Sequence, residues 1–232
     1  MQIVFLCGGL GTRLNSISNG DPKSLIKING KPFLKYILDR VIPYNPSSIH
    51  FCLGYKSKLF LNFFQTLSFK NTNLTYSIED ANSLLGTGGA IKNALKFLDK
   101  NFIVQYGDTM LNLSYEDLFN EHIKTKKKMT MSILNYKDTN EIPNVFCKEN
   151  LDGKNVFLYD KLNPPLDSNF IDYGAIVFRK NVFTKIKEIK FDLSEIQRKL
   201  TYENQSGFYK VDHPYIEIGT PKSFLMAKKL LK

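Results

Sequence analysis

The sequence predicts an α/β fold: a doubly wound, mostly parallel sheet flanked by helices, with a smaller α+β lobe in the second half. Three observations carry this. Short apolar runs at 2–7, 49–53, 74–78 and 101–106 place large side chains on both faces, as strands buried in a parallel sheet must. Helical patterns alternate with these runs. Glycine turns follow the strands directly, at the carboxyl ends where such sheets bind ligands.

In chain order, the opening run 2–7 is too short and too rich in Ile, Val and Phe for a helix. A glycine turn follows, then a short strand at 26–28 and a tight turn at Asn29-Gly30. Pro32 suits the first turn of a helix reaching about Val41, with Phe33, Tyr36, Ile37 and Val41 on one face. Strand 49–53, a helix over 56–67 and strand 74–78 come next. The helix predicted over 86–98 carries Ala90, Ile91, Ala94, Leu95 and Leu98 on one face. Strand 101–106 closes the first half.

From Lys128 the pattern shifts to strands at 129–134, 144–148, 155–159, 173–179, 207–211 and 214–218, with helices at 182–186 and 193–200. The last helix has a candidate N-cap in Thr220, Pro221 at its first position, and Lys228, Lys229 and Lys232 in its last turns. No linker or internal repeat divides the chain. The reading is one domain, 1–232, with a first half at 1–127 and a second at 128–232. No hexapeptide β-helix repeats are present.

The chain has 232 residues and a formal charge of +10. Its lysines are scattered. The one dense run, Lys124 to Lys128, falls in a helix-to-strand loop, so nucleic acid is not an expected partner. Cys7, Cys52 and Cys147 lie far apart with no metal-binding spacing, and Cys7 and Cys52, in apolar runs, read as buried thiols in a reducing compartment. No signal-peptide pattern and no run long enough to span a bilayer is seen. A cytoplasmic protein without membrane insertion, monomeric or homodimeric, is expected.

The chemistry concentrates at the start. Gly8-Gly9-Leu10-Gly11-Thr12-Arg13-Leu14 strips side chains from a turn, so backbone N–H groups can approach phosphates. Arg13 adds a planar cation, and Lys23 within Asp21-Pro22-Lys23-Ser24-Leu25 a compact one. Neither Gly-x-x-x-x-Gly-Lys-Ser/Thr nor Gly-x-Gly-x-x-Gly is present. Gly107-Asp108 ends a strand with a carboxylate of the kind that holds Mg²⁺ beside phosphates. Glu217, between Ile216 and Ile218, alternates away from their apolar face and is a second candidate carboxylate. His50, His122 and His213 carry no ligand spacing.

GGLGTRL followed by PKSL resembles the sugar-1-phosphate nucleotidyltransferases, or NDP-sugar pyrophosphorylases. The wording LLGTGGAI is most like the heptose 1-phosphate guanylyltransferases. The resemblance implies a Rossmann-like nucleotidyltransferase fold and transfer of a nucleoside monophosphate from a nucleoside triphosphate to a sugar 1-phosphate. Pyrophosphate leaves, Mg²⁺ is the cofactor, and the second half is the sugar-binding lobe. It implies that Gly8, Gly9, Gly11, Thr12, Arg13 and Lys23 hold the triphosphate, with Arg13, Lys23 and Asp108 catalytic. Glu79, Gly86 and Thr87 surround base and ribose. Asp108 and Glu217 hold the metal, although the family usually has Asp at the second position. Asp160-Lys161 contacts the sugar and its phosphate, and Asp172 with Gly174 in the DYG segment borders the sugar. GTP with a heptose or hexose 1-phosphate is the favoured pair. CTP, UTP and dTTP stay open at this point, as do an NDP-sugar-dependent glycosyltransferase and a non-catalytic nucleotide-sugar-binding protein.

Overall fold

The computed structural model describes residues 1–11, 14, 20–139, 141–150 and 155–231. The chain opens with β1 (Gln2–Leu6) and, after a short 3-10 turn over Lys23–Leu25, forms the small hairpin β2 (Lys27–Ile28) and β3 (Lys31–Pro32). Asn29 and Gly30 both have positive φ, as a two-residue hairpin turn requires. Then come α1 (Phe33–Val41), β4 (Ser48–Leu53), α2 (Ser57–Phe64), β5 (Asn73–Ile78), α3 (Gly86–Ala94) and β6 (Asn101–Tyr106). After β7 (Thr109–Met110) follow α4 (Tyr115–Thr125), β8 (Met129–Asn135), β9 (Val145–Lys148), β10 (Val156–Tyr159) and β11 (Phe170–Arg179). The chain finishes with α5 (Asn181–Thr184), α6 (Leu193–Tyr202), β12 (Ser206–Val211), β13 (Ile216–Glu217) and α7 (Pro221–Leu230).

One sheet runs through both halves in the spatial order β5-β4-β1-β6-β11-β8-β12. β1 pairs in parallel with β4 and β6, and β4 with β5. β11 alone is reversed: it is antiparallel to both β6 and β8, while β12 is again parallel to β8. The sheet is therefore mostly parallel. The hairpin β9–β10 joins β11 at Phe170 only, through Val145.

Alternation along β1 explains the two layers. Ile3 and Phe5 point into one core with Phe33, Ile37 and Val41 of α1, Phe60 of α2 and Leu118 of α4. Val4 points into the other, with Ala90 and Ile91 of α3, Phe183 of α5 and Leu193 of α6. Helices thus cover both faces, as the apolar strands demand.

The helix ends follow local chemistry. Ser114 caps α4 by accepting from the Asp117 N–H, Asp192 and Glu195 form a capping box on α6, and Thr220 caps α7 with Pro221 in its first turn. Several predicted elements come out shorter, two of them clearly. The strand over 214–218 is only Ile216–Glu217, and the helix over 56–67 is Ser57–Phe64. β11 comes out longer: it starts at Phe170 and carries a register shift between Asp172 and Ile176. Among the described residues no helix is long and apolar enough to cross a membrane.

Candidate active site

β1 is flanked on both sides by parallel strands, so three carboxyl ends meet at one edge of the sheet. The Cys7 N–H donates to the Cys52 carbonyl, and the Gly107 N–H donates to the Leu6 carbonyl. Gly8 and Gly9 leave β1 there, beside Asp108 at the end of β6, and all line one pocket. Gly11 has φ +65°, and a Cβ on it would stand 2.9 Å from Cγ of Lys23. Its lack of a side chain lets the lysine stem pass. The Lys23 ammonium then lies 3.4 Å from Oδ2 of Asp108. Thr12 and Arg13, expected beside them, fall outside the described residues.

The opposite wall comes from β5 and α3. Glu79 is 9% exposed. Its Oε2 accepts from the Leu85 N–H at 2.6 Å. Burial pushes its carboxyl above the ordinary range, and the Leu85 bond opposes that only in part. Gly86 and Thr87 line the same pocket. Gly8, Gly9, Gly11, Lys23, Glu79, Gly86, Thr87 and Asp108, drawn from four separate segments, are thus brought to one cleft.

The glycines of α3 have a second reason to be glycine. A Cβ on Gly86 would lie 2.5 Å from the Phe191 carbonyl oxygen, one on Gly88 2.2 Å from the Phe191 ring, and one on Gly89 2.4 Å from the Ile189 carbonyl oxygen. The Gly88 N–H donates to the Phe191 carbonyl, and the Phe191 N–H donates to the Leu85 carbonyl. Lys92 Nζ donates to the carbonyls of Lys187 and Glu188, and Thr87 Oγ1 accepts from the Leu193 N–H. A strap from the second half is seated on the first turn of α3.

Glu217 reaches Asp108 through the chain. β13 pairs antiparallel with β7, setting Glu217 opposite Thr109, and the Ile218 N–H donates to the Asp108 carbonyl at 3.1 Å. Its carboxylate lies over Gly219, where a Cβ would stand 2.2 Å from Oε1. Glu217 is not among the residues that line the pocket. Among the described residues no group of three or more His, Cys, Asp or Glu side chains could hold a metal ion. Asp108 stands one step beyond Thr109, the ladder partner of Glu217, and both carboxylates are hard oxygen donors of the kind Mg²⁺ takes.

The remaining predicted residues gather at the β9–β11 end. Asp160 caps its own turn: Oδ1 accepts from the N–H groups of Leu162 and Asn163, and Oδ2 is 3.5 Å from Arg198. The Asn163 bond, with those of Leu162 and the Arg198 guanidinium, holds its carboxyl below the usual range. Lys161 is exposed, and its charge acts on Asp172 and Asp192. Gly174 has φ +100°, and the nearest atom to a Cβ there would be 3.8 Å away on Leu111. Asp160, Lys161, Asp172 and Gly174 do not line the pocket of Asp108. Tyr106 links the groups: it lines that pocket, and its phenol is pushed up by burial and by the charges of Asp172, Asp192 and Asp108.

Sequence reasoning missed Tyr106, Asp192, Gln197 and the strap at 187–191. Tyr106 ends a strand and could have been found as the neighbour of Gly107-Asp108. Nothing local marks Gln197.

A glycine turn, a lysine and a carboxylate at the carboxyl edge of a doubly wound sheet define a phosphate-handling α/β protein. Residues 2–232 match the model of the family described as Nucleotidyl transferase, and the chain belongs to that family. It is 27% identical over its whole length, and 99% of the other chain, to D-glycero-alpha-D-manno-heptose 1-phosphate guanylyltransferase of Aneurinibacillus thermoaerophilus. The protein of the same name from Campylobacter jejuni is 29% identical over 97% of each chain. HddC from Yersinia pseudotuberculosis, solved in complex with GMP-PN, is similar with a TM-score of 0.78 and 26% identity, over 100% of this chain and 99% of that one.

Proposed function

We propose that this protein transfers a nucleoside monophosphate from GTP to a heptose 1-phosphate, releasing pyrophosphate and forming a GDP-sugar. The observation that carries the proposal is the cleft that joins the glycine turn, Lys23 and Asp108 at the ends of β1 and β6. The names of the full-length relatives support the choice of base and sugar.

An oxygen of the sugar phosphate attacks the α-phosphorus in line. The bond from that phosphorus to the bridging oxygen breaks, and pyrophosphate leaves with the electron pair. The nucleophile is already an anion, so positioning and charge neutralisation suffice. Gly8, Gly9, Gly11 and Thr12 cradle the triphosphate, Arg13 holds its leaving end, and Lys23 neutralises the α-phosphate. Lys161 orients the sugar phosphate, while Asp160, Asp172 and Gly174 border the sugar. Asp108 and Glu217 would hold Mg²⁺, which when bound supplies charge neutralisation for the triphosphate oxygens.

Glu79 supports GTP over its rivals. Guanine presents two adjacent donors, N1–H and the N2 amino group. A carboxylate is an acceptor-only partner with two oxygens. Oε2 of Glu79 is tied to Leu85, while Oε1 stands on the Gly8 side, 3.3 Å from where a Cβ would be.

The test is a matrix of the four triphosphates against a panel of sugar 1-phosphates, read by pyrophosphate formation. Turnover only with GTP and heptose or hexose 1-phosphates is expected. Sugar transfer from an NDP-sugar without pyrophosphate overturns the proposal.

A further inference from the structure

The reversed strand β11 is contacted by two different partners along one edge. Pairing with β6 ends at Ala175, and pairing with β9 begins at Phe170. The backbone between them is satisfied by side chains instead. The Asp172 N–H donates to Oδ1 of Asn144, the Gly174 N–H to Oδ1 of Asp172, and the Ala175 N–H to Oγ of Ser132. Asp172 and Gly174 therefore stand in a break of the ladder, next to Tyr106 of the nucleotide pocket.

Gln197 reaches into this break from α6. It is 1% exposed, and its Nε2 donates to Oδ2 of Asp172 at 2.9 Å. We propose that Gln197 is a positioning residue for the acceptor half of the site, its amide steering the Asp172 carboxylate toward the gap where the hydroxyls of the sugar 1-phosphate are bound. This rests on the assignment of that gap to the acceptor.

Three features support it. Among the described residues each Asp172 oxygen has one donor, Gly174 N–H on Oδ1 and Gln197 on Oδ2. A carboxylate oxygen accepts two hydrogen bonds, so both keep room for a substrate hydroxyl. Next, α6 is a fixed platform, held by the Asp192–Glu195 capping box and by the Leu193 bond to Thr87. Finally, burial pushes the Asp172 carboxyl up, and the Gln197 bond leads the opposing influences, ahead of the Gly174 N–H and the Lys161 charge.

Among the described residues, four titratable groups act on Asp172 or feel its charge. Lys161 comes from the connection after β10, Tyr106 from the end of β6, Tyr159 from β10 and Tyr215 from the segment before β13. Burial raises all three phenols. Asp160 and Asp192, on either side, are held low. A new acid at 197 is thus read cleanly against Asp172.

The test compares wild type with Gln197→Met and Gln197→Glu, each checked for a wild-type circular dichroism spectrum. The wild-type matrix of triphosphates and sugar phosphates is measured first. Gln197→Met should raise KM for the sugar phosphate by about 10- to 100-fold, the scale of a lost bond to a charged group, and leave KM for GTP within about twofold. Gln197→Glu should keep an acceptor KM near wild type at the acid end of the measured range, where a shared proton lets the new carboxyl donate to Asp172, and lose it as pH rises. Equal changes in both KM values, or a wild-type pH profile for Gln197→Glu, overturn the proposal. Absence of wild-type turnover on every pair would instead sink the acceptor assignment. In that case the ¹³C titration of the Asp172 carboxyl decides: its midpoint should rise in Gln197→Met, and an unchanged midpoint refutes the positioning role.

Discussion

Lys23, in the 3-10 turn before β2, and Asp108, at the end of β6, form an ion pair, Nζ to Oδ2 3.4 Å, with side chains 17% and 28% exposed. The two groups that the proposed mechanism sets beside the triphosphate are therefore coupled. Lys23→Ala and Asp108→Ala should each lower kcat by about 10²–10³, the scale of one preorganised electrostatic group. Because the two side chains touch, the double variant should lose less than the product of the single losses. Pyrophosphate-release kinetics on all four proteins check this, and strict multiplicativity would show that the residues act independently.

Glu79 should govern base choice. Glu79→Gln keeps an acceptor for the Leu85 N–H but replaces one carboxylate oxygen by a donor. GTP should lose about 10- to 100-fold in kcat/KM relative to UTP, matching the worth of a bidentate base contact. A uniform loss across the four triphosphates would mean that Glu79 only braces the loop before α3.

The strap should be intolerant of a methyl group. Gly89→Ala forces a Cβ to within 2.4 Å of the Ile189 carbonyl oxygen, so stability should fall by about 1–3 kcal/mol, the range for overpacking. Thermal unfolding followed by circular dichroism measures it. An unchanged Tm would show that the 187–191 segment moves aside without loss.

His50 makes stability fall in mild acid. It is fully buried, bonded to Thr75 and Ser77 and stacked on Phe97. Burial pushes its pKa down to about 4. The unfolded chain protonates this ring near pH 6.5, about 1.4 kcal/mol for each unit of difference. Between those values the unfolded state binds the proton and the folded state does not. The contribution is therefore whole above about 6.5 and is lost as pH drops toward 4. Urea midpoints at pH 7.5, 6 and 5 should show a shallower decline for His50→Gln than for wild type. Parallel curves would contradict this.

The nucleotide half of the site was legible because its signals are local. An apolar run, a glycine turn and a lysine ten positions on keep their meaning whatever the rest of the chain does, and Asp108 is marked by the strand before it. The terminal helix was legible from Thr220 and Pro221 for the same reason. The acceptor half was only partly so. Phe170–Asp172 belongs to a strand, but its ladder is broken at Asp172 and alternation fails there. Gln197 looks like any polar residue in a helix until folding sets it against Asp172. The sequence marks Gly86 and Thr87 as neighbours of the base and ribose, and 86–98 as a helix. Gly86 and Thr87 do face the pocket, yet the absent side chains of Gly88 and Gly89 answer to Phe191 and Ile189, a partner a hundred residues downstream that no local pattern names. Helix α4 was implied only by the basic loop after it, since its charged surface dilutes the apolar face.

The fork of β11 separates two evolutionary tasks. Upstream of Ala175 along that edge the ladder partner is the hairpin Val145–Tyr159, which pairs with β11 at Phe170 and packs Phe157 on Phe208 of β12. Lengthening or rewriting that appendage leaves the register of β1, β4 and β6 untouched. On the proposed function, the choice of acceptor could therefore be altered in a peripheral ribbon without disturbing the strand ends that carry Asp108 and the glycine turn.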